Sequence, residues 1–224
     1  EEVTNVKSTA SAAIRSQEGS AVKSEVSQTL TYDRRDSREK TTDGYLARYS
    51  TDFAGLGGSI AYVRNRVTGT KFFPLTDTVV GSLGAGAGYI VGLGEDVRVS
   101  DAFFVGGQNL RGFATAGVGP RDLTSQDALG GNWYYSGVAQ VTFPIGLPNE
   151  FGVRGRAFSD IGSAGNSDAS VGNISDTKSL RASLGVGITW SSPFGPITVD
   201  LARPVLKEDF DDTELLRFDF GARF

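Results

Sequence analysis

Apolar residues recur at every second position through most of this chain. The end of the chain is the clearest case: Leu216, Phe218, Phe220, Ala222 and Phe224 alternate with Arg217, Asp219, Gly221 and Arg223. Successive side chains of an extended backbone point to opposite sides, so a period of two predicts strands with one apolar and one polar face. The pattern returns in Leu180, Ala182, Leu184, Val186, Ile188 and Trp190, with Arg181, Ser183, Gly185, Gly187 and Thr189 opposite. Ile197, Val199 and Leu201 alternate with Thr198, Asp200 and Ala202 in the same way. Strands are predicted over 22–33, 45–53, 59–73, 79–91, 133–143, 151–161, 180–190, 197–201 and 216–224. The stretch 2–14 reads as a partial tenth, and no helix is predicted.

The links between these strands alternate in length. Residues 74–77, 146–149 and 191–196 make tight connections, whereas 95–131, 163–179 and 204–214 are long. Short turns at one end and long loops at the other, with strands near the roughly 9 to 11 residues that cross an apolar slab at a tilt, describe an up-and-down transmembrane barrel. Residues 34–43 break the rule, being a long connection on the short side. A soluble barrel or sandwich shares the period, but its inner face is a dry core. Here Arg154, Arg156, Asp160, Arg181, Asp200, Arg217, Asp219 and Arg223 all fall on one set of faces, where each unpaired ion would cost several kcal/mol in such a core. Turning the charged face to a watered lumen and the apolar face to lipid removes that cost. Trp133, Tyr134, Tyr135, Phe143, Trp190 and Phe224 stand at strand ends, where interfacial aromatic girdles belong.

What is missing narrows the chemistry. The 224 residues include no His and no Cys, so a Ser-His-Asp triad, a thiolate nucleophile, a disulfide framework and an ordinary zinc site are excluded. The expectation is a protein that is not an enzyme and has no cofactor or metal. A net charge of -4 gives no pull toward nucleic acid. Gly84-Ala85-Gly86-Ala87-Gly88 has the look of a phosphate loop but lies inside a strand with no helix to follow, so close approach of a loop to the wall explains it better. Glu208, Asp209, Asp211 and Asp212 lack calcium-loop spacing and read as a solvated loop. The chain opens on Glu1 and Glu2 rather than on Met or a signal peptide, as expected of a piece of a longer protein.

The long connection 95–131 is patterned: Phe103-Phe104-Val105-Gly106-Gly107-Gln108-Asn109-Leu110-Arg111-Gly112-Phe113, then Gly117-Val118-Gly119-Pro120-Arg121-Asp122. Further on come Gly130-Gly131-Asn132, Phe158-Ser159-Asp160-Ile161-Gly162, Ser192-Pro193-Phe194-Gly195-Pro196 and Asp200-Leu201-Ala202-Arg203-Pro204, with Tyr32-Asp33-Arg34-Arg35-Asp36 upstream. In this order the segments resemble the outer-membrane assembly-factor superfamily, also called the bacterial surface antigen family. Leu110-Arg111-Gly112-Phe113 is similar to the family's loop-six tetrad.

The resemblance implies the last nine or ten strands of a barrel of about sixteen, without the family's periplasmic N-terminal domains. It implies a place in the outer membrane of Gram-negative bacteria, among its lipid, where the protein would fold and insert other β-barrel proteins. Its partners would be unfolded β-barrel substrates, accessory lipoproteins of the assembly complex and periplasmic chaperones. Arg111 would lie inside the barrel and pair with Asp160, which alternation also places on the lumenal face. Gln140 stands where relatives carry a glutamate as second partner on the wall. The final strand, with Leu216, Phe218, Phe220, Gly221 and Phe224, would form one side of a lateral seam that templates incoming strands, Gly221 weakening the pairing there and Phe224 closing the recognition signal. A translocation or autotransporter-assembly paralogue, a passive pore and a soluble binding barrel remain alternatives.

Overall fold

The computed structural model describes residues 2–38, 40–170, 172–192 and 195–221. Nine antiparallel strands form one sheet in which every strand neighbours the next in sequence. They are β1 (Glu25–Asp33), β2 (Gly44–Ala54), β3 (Tyr62–Pro74), β4 (Val80–Gly92), β5 (Trp133–Pro144), β6 (Val153–Gly165), β7 (Arg181–Ser192), β8 (Gly195–Leu206) and β9 (Leu216–Phe220). Among the described residues β1 and β9 are the two edges and do not pair with each other.

The register carries the alternation across the whole wall. Leu216 lies opposite Leu201, Val186 opposite Leu201 and Ala157 opposite Val186, so one outward row forms from four strands. Val26, Leu30, Tyr49, Val67, Leu83, Tyr89, Ile161, Leu184, Ile188, Trp190, Val199 and Phe218 are exposed on this outer face. The inner face buries Arg156, Asp160, Arg181 and Asp200 instead. Residues 93–132 fold back against it and supply Phe103, Val105, Leu110, Phe113 and Val118, which join Ile90 and Tyr134 in the buried cluster.

Several expectations change. Residues 2–14 do not form a strand: Glu2–Val3 pairs with Gly19–Ser20, and between them lies a short helix, α1 (Ala12–Arg15). Ser11 caps it, its Oγ accepting from the Ala13 N–H at 3.3 Å; a Ser before two alanines is a helix start. Tyr134 is not part of an outer girdle. It points inward and packs on Phe103 with ring centroids 4.8 Å apart, while Trp133 and Tyr135 stack outside at 5.9 Å. Of Gly84, Gly86 and Gly88, the last is the one approached by the loop, a Cβ there falling 2.7 Å from Phe103 Cζ; Gly84 and Gly86 face the side chains of Val138 and Ser136 on β5. Asp211 is buried against Arg181 rather than solvated.

The last strand is regular only to Phe220. Gly221 follows it with φ +124°, its N–H still donating to Pro196 O at 3.1 Å. Phe224, with Ala222 and Arg223, lies outside the described residues, as do Pro193 and Phe194. At the short-turn end, the two arms of 34–43 are tied together: Asp36 accepts from the Thr42 and Asp43 N–H groups at 3.0 and 3.1 Å. Arg35 grips both oxygens of Asp33 at 2.9 Å there.

Candidate functional site

The loop 93–132 is built to hold one arginine against the wall. Phe103 and Gly131 exchange backbone bonds at 2.9 Å across its base, and the Val118 N–H donates to Val105 O at 3.1 Å higher up. At the tip, Gly106 (φ +125°) and Gly107 (φ +64°) turn the chain, and Asn109 Oδ1 accepts from the Gly106 N–H at 2.9 Å. Positive φ is open to glycine without steric penalty. A Cβ at Gly106 would stand 2.1 Å from Ala114 O, so the two arms can close only around a glycine. Leu110 and Phe113 are fully buried on either side of Arg111 and Gly112.

Arg111 is 3% exposed and meets Asp160 through three bonds. Its Nε donates to Oδ2 at 2.7 Å, its Nη2 to Oδ1 at 2.7 Å, and its backbone N–H to Oδ2 at 3.0 Å. The fourth direction of the fork goes to Gln140 Oε1 at 2.9 Å. The guanidinium also lies flat over Phe158, 3.3 Å from the ring centroid. A planar, delocalised cation can satisfy a carboxylate edge-on and stack on an aromatic face together, which an ammonium cannot do.

A second pair adjoins the first. Arg156 donates through Nε and Nη2 to the two oxygens of Asp200 at 2.8 and 2.6 Å, and Asp200 Oδ2 lies 4.0 Å from Arg111 Nη1. Arg156 is on β6 and Asp200 on β8, with Gly187 of β7 between them in register. A Cβ at Gly187 would come within 2.1 Å of Asp200 Oδ1, and one at Gly185 within 2.4 Å of Phe158 Cζ. The two glycines clear the inner face of β7 so that side chains from β6 can lie across it. A third pair, Arg181 with Asp211, is fully buried and ties the connection 207–215 to the start of β7. Charges in low-dielectric surroundings persist when paired and hydrogen-bonded in this way.

The structure therefore brings together Arg111, Asp160 and Gln140, and places Leu110, Gly112 and Phe113 around them. Leu216, Phe218 and Phe220 lie apart on the outer face of β9, exposed. Phe158, Arg156 and Asp200 join this site without any spacing in the sequence that ties them to the loop, although Phe158 and Asp160 share one face of β6. Farther out, Ser11 Oγ donates to Asp122 Oδ2 at 2.8 Å. The Thr124 N–H, and after it this bond from Ser11, hold the Asp122 carboxyl below its ordinary value. Among the described residues no three acidic groups converge to hold a metal ion.

A meander of strands with an apolar outer face, a charged inner face and a loop folded onto the inner face is the wall of a transmembrane β-barrel. This chain belongs to the Omp85 superfamily, whose domain matches residues 2–224. It is 32% identical over 226 residues to the outer membrane protein assembly factor BamA of Neorickettsia risticii, covering 100% of this chain and 30% of that protein. It is 28% identical to BamA of Neisseria meningitidis, covering 84% of this chain and 27% of that protein. A SAM50-like protein of Schizosaccharomyces pombe is 28% identical, over 100% of this chain and 49% of its own length. Among solved structures, BamA from Haemophilus ducreyi lacking POTRA domains 1-3 superposes with a TM-score of 0.78 at 25% identity, over 87% of this chain and 41% of that one. The chain thus spans less than half the length of each of these relatives.

Proposed function

We propose that this chain is the closing part of the barrel of an outer-membrane assembly factor, which folds β-barrel proteins and inserts them into the bacterial outer membrane. The observation that carries the reading is the buried Arg111–Asp160 clasp in an Omp85 domain similar to BamA along its full length. Unfolded barrel substrates, accessory lipoproteins and chaperones are the partners that follow from this reading.

No covalent chemistry is required. Among the described residues β9 pairs with β8 over Ile197–Leu201, with the Ala202 N–H donating to Leu215 O and the Gly221 N–H to Pro196 O at either end, and no strand pairs with its other side. A strand held by a neighbour on one side is more easily released than one held on both, and an exposed strand edge templates a new strand through main-chain hydrogen bonds. We assign β9 to one side of a lateral seam on that ground.

The test is insertion into lipid vesicles. Full-length protein in vesicles is mixed with an unfolded outer-membrane barrel protein, and the folded product is read by its gel mobility. Insertion at least tenfold faster than into empty vesicles is expected. Vesicles that conduct ions but do not speed insertion would identify a passive pore and overturn the reading.

A further inference from the structure

We infer that Gln108 and Asp219 are positioning residues through which the lumenal loop braces the last strand, so that β9 is held from inside the barrel as well as by β8. Gln108 sits at the tip of the loop and its Nε2 donates to Asp219 Oδ1 at 2.8 Å. Beside it, a Cβ on Gly107 would lie 3.0 Å from Arg217 Nη2. Arg217 in turn pairs with Asp219 at 3.3 Å and Glu214 at 2.6 Å. The tip therefore rests on the inward side chains of β9.

The same loop also pairs through its backbone with the residues leading into β9. The Ala114 N–H donates to Asp212 O at 3.0 Å, the Asp212 N–H to Gly117 O at 3.0 Å, and the Glu214 N–H to Gly112 O at 3.1 Å. Gly112 directly follows Arg111, so the clasp on Asp160 and the hold on β9 belong to one rigid stretch of chain. Release of β9 at its base then requires the loop to let go, and loosening the loop loosens β9. This coupling rests on the reading of β9 as a seam strand for its functional meaning, but the brace itself is independent of it.

The experiment uses the full-length protein in vesicles, first without substrate. Gln108→Leu keeps the side chain's bulk and removes the donor. Gln108→Glu combined with Asp219→Asn exchanges donor and acceptor and restores the bond. Amide hydrogen exchange over Leu216–Phe220 is expected to quicken about tenfold in Gln108→Leu, as loss of a hydrogen bond to a charged group allows, and to return close to the parent rate in the double variant. Exchange in β6 should stay unchanged throughout. No change over β9, or a change spread through the sheet, overturns the brace. Insertion of substrate is then compared in the same samples: a quickened β9 with unaltered insertion leaves the brace standing and counts against β9 as the seam.

Discussion

Arg111 and Asp160 share three hydrogen bonds of 2.7, 2.7 and 3.0 Å across 49 residues of chain. Removing either partner strands the other as an unpaired ion, at about 1 to 3 kcal/mol in a lumen that water can enter. Asp160→Ala and Arg111→Ala should each lower the urea midpoint of the micelle-bound protein, and Arg111→Lys should recover little, since an ammonium cannot make the bidentate, stacked contact. In a double-mutant cycle the pair should show coupling above ~1 kcal/mol. Additive losses would sink the clasp.

Gly187→Ala should destabilise the wall although it adds one methyl group to a strand. The new Cβ would stand 2.1 Å from Asp200 Oδ1 and 2.7 Å from Val199 O, so both the carboxylate and the backbone must move. Overpacking of this kind costs about 1 to 3 kcal/mol. Thr189→Ala, two residues along the same strand, serves as the control. Equal midpoints for the two variants would show that the Arg156–Asp200 bridge does not depend on the gap.

Gly221→Val tests a different cost. Among the described residues nothing lies within 4 Å of a Cβ at this position, but the φ of +124° is one that β-branched residues avoid. The bond from the Gly221 N–H to Pro196 O at 3.1 Å should be lost as the backbone relaxes. Exchange of that amide should rise while the sheet keeps its stability within about 1 kcal/mol. Gly221→Asn, better tolerated at positive φ, should fall between parent and Val; an order with Asn worst would contradict the account.

Asp36 gives a pH dependence with a definite sign. The Thr42 hydroxyl, followed by the Asp43 and Thr42 N–H groups, holds its carboxyl at about 2 against an ordinary 3.8. A folded-state value below the unfolded one means the stabilisation is complete above about pH 4 and is lost as the pH falls toward about 2. The amide resonances of Thr42 and Asp43 should therefore titrate with a midpoint near the lower value, and Asp36→Asn should abolish the transition. A midpoint near 4 would show that the turn does not hold the carboxylate.

The wall was legible because alternation is a local property: Leu184, Val186 and Ile188 declare their face without knowledge of any neighbour. Pairing across strands is not local. That Arg156 reaches Asp200 over Gly187 depends on the registers of β7 with β6 and β8, which no spacing within one strand encodes. The position of Asp160 could be read from its strand, whereas its tie to Arg111 came from likeness to a known loop. Asp211 was lost in a run of acids, since nothing in Glu208 to Asp212 says which carboxylate turns in toward Arg181. Ser11 signals the helix at Ala12–Arg15, but its single turn is too short for a periodicity to develop.

Among the described residues the outer edges of β1 and β9 meet no further strand, and this sets a condition on where the sheet can exist. Hydrocarbon offers them no hydrogen bond, and each unmet group costs several kcal/mol there. Water tolerates such edges, but it does not tolerate the leucines, valines and phenylalanines of the outer face. Neither solvent accepts the nine strands alone, so lipid itself acts as the selector, admitting the sheet only in company that meets both edges.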